Sequence, residues 1–152
     1  MNLSDMYQRP GFLLRRAHQI SAAVFESACA DMGLTQAQYG VLTVLYSAPD
    51  IDQSRLARAL AFDKVTVLRV LRGLEERGLV ARVVSASNRR QMSVRLTAQG
   101  KRLLKRTEQP VRLAYARLMA PLSPQQGQQL IALLQQLTHG LQEDARAPFV
   151  PL

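Results

Sequence analysis

Two adjacent arginines, Arg89 and Arg90, follow Asn88 in a short polar loop between two β-like runs, Leu79 to Val84 and Gln91 to Leu96. A guanidinium on a hairpin tip suits phosphate oxygens and the negative potential of a narrow DNA groove. A second set lies upstream, where Lys64, Val65, Thr66 and Arg69 open a helical stretch whose other face carries Val67, Val70, Leu71 and Leu74. Polar groups in the first turns of such a helix can reach base edges, and an apolar one can meet a thymine methyl. Val65 lies off the apolar stripe, so it either makes that contact or packs against the neighbouring helix. Ser54, Arg55, Arg72 and Arg77 are expected on phosphate or in solvent.

Catalytic chemistry finds little support. The only histidines are His18 and His139, and Cys29 is the only cysteine. No glycine-rich phosphate loop, metal-ligand spacing or nucleophile–base pair is present, and neighbouring Glu75 and Glu76 diverge on a helix. No cofactor or metal is therefore expected. The formal charge of +9 is unevenly placed: residues 53–106 hold 14 Lys/Arg against Asp63, Glu75 and Glu76, and the rest of the chain is slightly acidic. A basic block of this kind is an electrostatic footprint for phosphate, and by itself it fits DNA, RNA or an anionic membrane surface. With no long apolar run and no leader-like N-terminus, neither membrane insertion nor secretion is indicated, and a cytoplasmic protein is expected.

The elements that position these groups follow from periodicity and punctuation. Apolar residues at helical spacing from Pro10 to Asp31 predict a first helix ending at Gly33. Thr35 with Gln38 forms a capping-box signature for a second helix over Gln36 to Ser47, stopped by Pro49 and Asp50. A short helix over Gln53 to Leu60, a turn at Ala61 to Asp63, and the helix from Lys64 to about Arg77 follow, with Asp63 as N-cap. Gly78 stops that helix and the two strands come next. Thr97 caps a long helix in which Pro110 is expected to bend the helix or end a first segment. Ser123, Pro124 and Gln126 start a final helix reaching about Gln142. The first helix and the last two are too apolar for a small winged domain to cover, so a twofold homodimer is expected.

In this order, LTQAQYGVL (34–42), RLARALAFDKVTVLRVLRGLEERGLVAR (55–82) and NRRQMSVRLTAQG (88–100) resemble the MarR family of winged helix-turn-helix regulators. The resemblance spans nearly the whole chain. It implies a mainly α single domain over 1–152, with dimerisation helices at about 10–32 and 98–142 flanking a winged helix-turn-helix at about 35–97. It also implies a homodimer on a pseudo-palindromic double-stranded DNA operator, usually a repressor, released by a small phenolic or aromatic acid. Lys64, Val65, Thr66 and Arg69 then lie on the recognition helix, and Arg90 is the wing arginine of the minor groove with Arg89 beside it. Asn88 departs from the family's usual Asp, which braces that arginine by an ion pair.

The family's effector site lies between the dimerisation helices and the DNA-binding lobe. The matching residues here are Arg15, Arg16, His18 and Gln19, with Tyr39 as the facing aromatic. Such a set suits a flat aromatic or heteroaromatic carboxylate. The other reading gives Arg15 and Arg16 inter-subunit ion pairs and makes His18 an interface residue. Cys29 has no neighbouring cation to lower its pKa, which favours an inert thiol over an oxidant sensor. A redox regulator acting through Cys29 and a sequence-indifferent nucleic-acid-binding winged helix are the alternatives. Asp5, Met6 and Tyr7 are placed in an arm reaching across a partner subunit.

Overall fold

The computed structural model describes residues 2–84 and 92–152. Asn88, Arg89 and Arg90, expected at the wing tip, lie outside the described residues.

Local side-chain caps set most helix starts. After a short helix α1 (Leu3–Tyr7), where the arm was expected, α2 spans Pro10–Ala28 with proline in its first turn. A 3-10 turn at Ala30–Met32 ends at Gly33, whose φ of 56° is the left-handed conformation that glycine takes without penalty. Thr35 and Gln38 exchange both capping-box hydrogen bonds at the start of α3 (Gln36–Ser47). Asp52 caps α4 (Gln53–Ala59), and Asp63 caps α5 (Lys64–Glu76) by accepting from the Thr66 N–H at 2.6 Å.

Strands β2 (Val80–Val84) and β3 (Met92–Leu96) form the predicted antiparallel pair, with Val80 opposite Leu96 and Val84 opposite Met92. A third strand, β1 (Ile51–Asp52), was not expected from the sequence; it pairs with β3 and gives the order β1-β3-β2. One core unites the elements: α5 contributes Val67, Leu71 and Leu74, and Phe25, Leu42, Leu45, Leu56, Leu79 and Val94 surround them.

The joint between β3 and the long helix α6 (Ala98–Met119) is tightly specified. The Thr97 hydroxyl accepts from the Gly100 N–H at 3.0 Å and donates to the Gly78 carbonyl at 2.7 Å. Gly100 itself is buried, and a Cβ built there would stand 2.1 Å from the Leu79 carbonyl oxygen. The LT-x-x-G pattern is thus a clasp between the first turn of α6 and the end of α5.

Pro110 does not end a segment, because α6 continues through it. A proline removes one intrahelical hydrogen bond. Buried Thr107, Val111 and Ala114 on either side lie on the inner stripe of α6, which packs along α2. The Thr107 hydroxyl is satisfied by the Leu104 carbonyl at 2.6 Å.

Ser123 and Gln126 make the second capping box, at the start of α7 (Pro124–Gly140). Of this helix only Gly127 is buried, while Leu130, Leu133, Leu134 and Leu137 are all exposed. Leu13, Leu14 and Ile20 of α2 and Leu113 of α6 are exposed as well. Among the described residues, no helix is long and apolar enough to cross a membrane.

Candidate nucleic-acid interface

Helix α5 places its predicted contact residues as a reading surface. Lys64, Arg69 and Arg72 are exposed, and Val65 is 76% exposed. Of the two readings of Val65, the one that packs it against the neighbouring helix therefore fails within this chain. Thr66 is half-buried, its N–H engaged by Asp63. Ser54 and Arg55 are exposed on the first turn of α4, where the Arg55 N–H donates to Asp52 at 2.9 Å. The Thr66 hydrogen bonds, with a smaller contribution from the charge of Arg69, hold the Asp63 carboxyl below its usual range. A lowered carboxylate pKa stabilises the fold above the unfolded value, and that stability is lost as the pH falls through the folded value. The cap is intact at neutral pH.

Three arginines of the basic block have partners in the fold. Arg77 is engaged within the fold: its guanidinium donates to the Met32 and Gly33 carbonyls at 2.7 Å each, closing the end of the 3-10 turn. Arg82 on β2 makes a two-pronged pair with Glu75 of α5 at 2.8 and 2.5 Å, which tethers the hairpin to the recognition helix and keeps Arg82 charged. Arg95 on β3 pairs with Asp50 at 2.7 Å. The cations left free on α4 and α5 are therefore Arg55, Arg58, Lys64, Arg69 and Arg72, none of which has an ion-pair partner among the described residues.

The expected effector residues fall into two groups. Arg15, Arg16, His18 and Gln19 are exposed on the N-terminal half of α2; Arg15 donates to Gln19 at 3.3 Å and stacks 5.2 Å from the centroid of Phe12. Tyr39 lies elsewhere, with its ring 5.4 Å from Phe25. It lines a depression of about 490 Å³ between α3 and α6, shared with Thr43, Tyr46, Lys101, Arg102 and Lys105. Arg15, Arg16, His18 and Gln19 are not among the residues that line this depression. The sequence reading missed Lys101, Arg102 and Lys105; their i, i+1, i+4 spacing on α6 was the available signal.

Cys29 is fully buried in the core, and burial pushes its thiol pKa up. Thiolate is the reactive form of cysteine. The folded protein should therefore resist iodoacetamide at pH 8 and take up one equivalent only on denaturation; rapid alkylation of the native protein would restore the sensor reading.

Residues 32–91 match the model of the MarR family. An HTH-type transcriptional repressor of Mycobacterium tuberculosis is 35% identical over 127 residues, which cover 84% of this chain and 91% of that protein. The transcriptional repressor CouR, in a structure bound to a 23-mer DNA duplex, has a TM-score of 0.82 at 28% identity, with 91% of this chain and 98% of that one covered. A structure of Bordetella bronchiseptica BpsR, concerned with regulation of its DNA binding by 6-hydroxynicotinic acid, has a TM-score of 0.81 at 29% identity, with 87% and 94% covered. With a relative 35% identical over 84% of its length and the same fold as solved regulators of this kind, the chain belongs to the MarR family of winged helix-turn-helix transcriptional regulators, which bind DNA and are not enzymes.

Proposed function

We propose that this protein is a homodimeric repressor that holds a pseudo-palindromic operator and releases it when a small aromatic or heteroaromatic carboxylate binds. The observation that carries the dimer is α7, on which Leu130, Leu133, Leu134 and Leu137 all stay exposed among the described residues. Uncovered apolar faces of this extent are buried against a second copy in soluble proteins. Twofold symmetry then sets the two α5 helices into successive major grooves about one helical turn apart. Repression is supported by the Mycobacterium tuberculosis relative, and binding to duplex DNA by CouR.

The aromatic acid is supported by BpsR and by the chemistry of two cationic sets, Arg15 with Arg16 on α2 and Lys101 with Arg102 and Lys105 beside Tyr39. The second set combines cations and phenol rings in one depression, together with Glu108, and is a second candidate wall for the effector site. Release requires that the acid bind the DNA-incompetent dimer more tightly than the competent one.

A thermal-shift screen of benzoate-, cinnamate- and nicotinate-like acids tests this, followed by anisotropy on a duplex selected by the protein from a randomised pool. An acid that raises the Tm is expected also to release the duplex. Arg15→Ala is expected to retain DNA binding and lose release. If release survives in Arg15→Ala and is lost in Lys105→Ala, the carboxylate sits at α6. No stabilising acid in the panel counts against the effector class.

A further inference from the structure

The C-terminal tail does not leave the molecule after α7. A 3-10 turn at Gln142–Asp144 reverses the chain, and the Gln142 side-chain amide donates to the Phe149 carbonyl at 2.9 Å. The Val150 N–H then donates to the Arg58 carbonyl in the last turn of α4, at 3.0 Å. Phe149 lines an apolar groove with Leu137, Leu141 and Ala61, the residue between α4 and α5. The tail is thus fastened to the helix-turn-helix of its own chain at a backbone hydrogen bond and an aromatic side chain.

Between these anchors and α7, Arg146 and Pro148 share the walls of a depression of about 390 Å³ with Ser54, Asp63 and Lys64. Ser54 and Lys64 are residues assigned above to DNA. Arg146 is exposed and has no carboxylate at salt-bridge distance among the described residues. Glu143 and Asp144 precede it but do not pair with it, and the Asp63 carboxylate is already committed to the cap of α5.

We infer that Arg146 is a further phosphate contact, so that the folded-back tail extends the DNA-reading surface of α4 and α5. The inference rests on the DNA-binding role of α4 and α5. A guanidinium at this place adds affinity without sequence choice, because phosphate is the same at every step of the duplex.

The test uses the full-length protein and a 30-base-pair duplex that it selects from a randomised pool, with binding measured between 50 and 300 mM NaCl. Each phosphate contact adds about 0.9 to the slope of log affinity against log salt. Arg146→Ala is expected to flatten the slope by about that amount per subunit and to weaken binding most at low salt, with thermal unfolding unchanged. Arg146→Lys, which keeps the charge, should retain the slope. Phe149→Ala, which frees the tail, should reproduce the loss; should it fail to fold, Arg146→Ala alone decides. An unchanged slope in Arg146→Ala overturns the inference, as does a loss in Phe149→Ala that Arg146→Ala does not share, which would make the tail a brace. Failure to select any duplex would instead count against DNA reading by α4 and α5.

Discussion

Gly100→Ala is expected to destabilise the protein by about 3 kcal/mol, the upper end of the usual cost of overpacking a close-packed site. The added methyl would stand 2.1 Å from the Leu79 carbonyl oxygen, and that atom belongs to backbone rather than to a side chain able to swing away. The same carbonyl accepts the Thr97 N–H at 3.1 Å, so moving it also breaks the bond that seats β3 against β2. In a chain of this size, 3 kcal/mol corresponds to a fall in Tm of roughly 6–12 °C. Gly11→Ala is the matched control: that glycine is helical, exposed and has nothing within 4 Å of its would-be Cβ. Alanine there should be neutral or stabilising by up to about 1 kcal/mol. Differential scanning calorimetry on both variants separates the effects, and equal Tm values would show that α6 does not need its close approach to Leu79.

Arg90→Ala is expected to weaken binding to the selected duplex by about 1–3 kcal/mol, roughly 5- to 150-fold. The strands that precede and follow Arg90 in the chain are fastened through Arg82 with Glu75 and through Arg95 with Asp50. Groove readout has a signature that plain charge loss lacks. A narrow A/T-rich minor groove concentrates negative potential and favours an inserted arginine. Substituting G·C for A·T at the positions facing the wing should weaken the wild type and leave Arg90→Ala almost unaffected. An undiminished affinity for Arg90→Ala would overturn the assignment of the wing.

The features readable from sequence were those decided within a few residues of chain. Thr35 with Gln38, Ser123 with Gln126, Asp63 with Thr66 and Thr97 with Gly100 are side-chain-to-backbone bonds spanning three positions, and each helix they start begins where the sequence placed it. The stripe Val67, Val70, Leu71 and Leu74 is buried for the same reason, since helical spacing alone sets its face. What escaped the reading depends on distant partners. Ile51 and Asp52 follow a turn at Pro49 and Asp50 and become a strand only because β3 lies alongside them. Arg77 closes a turn 44 residues earlier in the chain. Tyr39 faces α6 rather than the cations of α2, a choice made by tertiary packing. Pro110 was overruled in the same way, local disfavour yielding to a buried face on both sides.

Strand β1 has a mechanical consequence out of proportion to its two residues. Asp52 is paired with Ser93 of β3 and also caps α4, while α5 is tied to β2 through Glu75 and Arg82. Hairpin and helix-turn-helix are therefore linked at two separate points, as a lever is fixed to its mount, and cannot be re-aimed independently. If α5 reads a major-groove step and the wing a minor-groove step, such a body measures phase, because the two must keep one angular offset. Inserting a single base pair between them rotates one against the other by about 35°. The rigid body can then satisfy only one of the two, and the spacing between groove contacts becomes as much a part of the recognised sequence as the bases themselves.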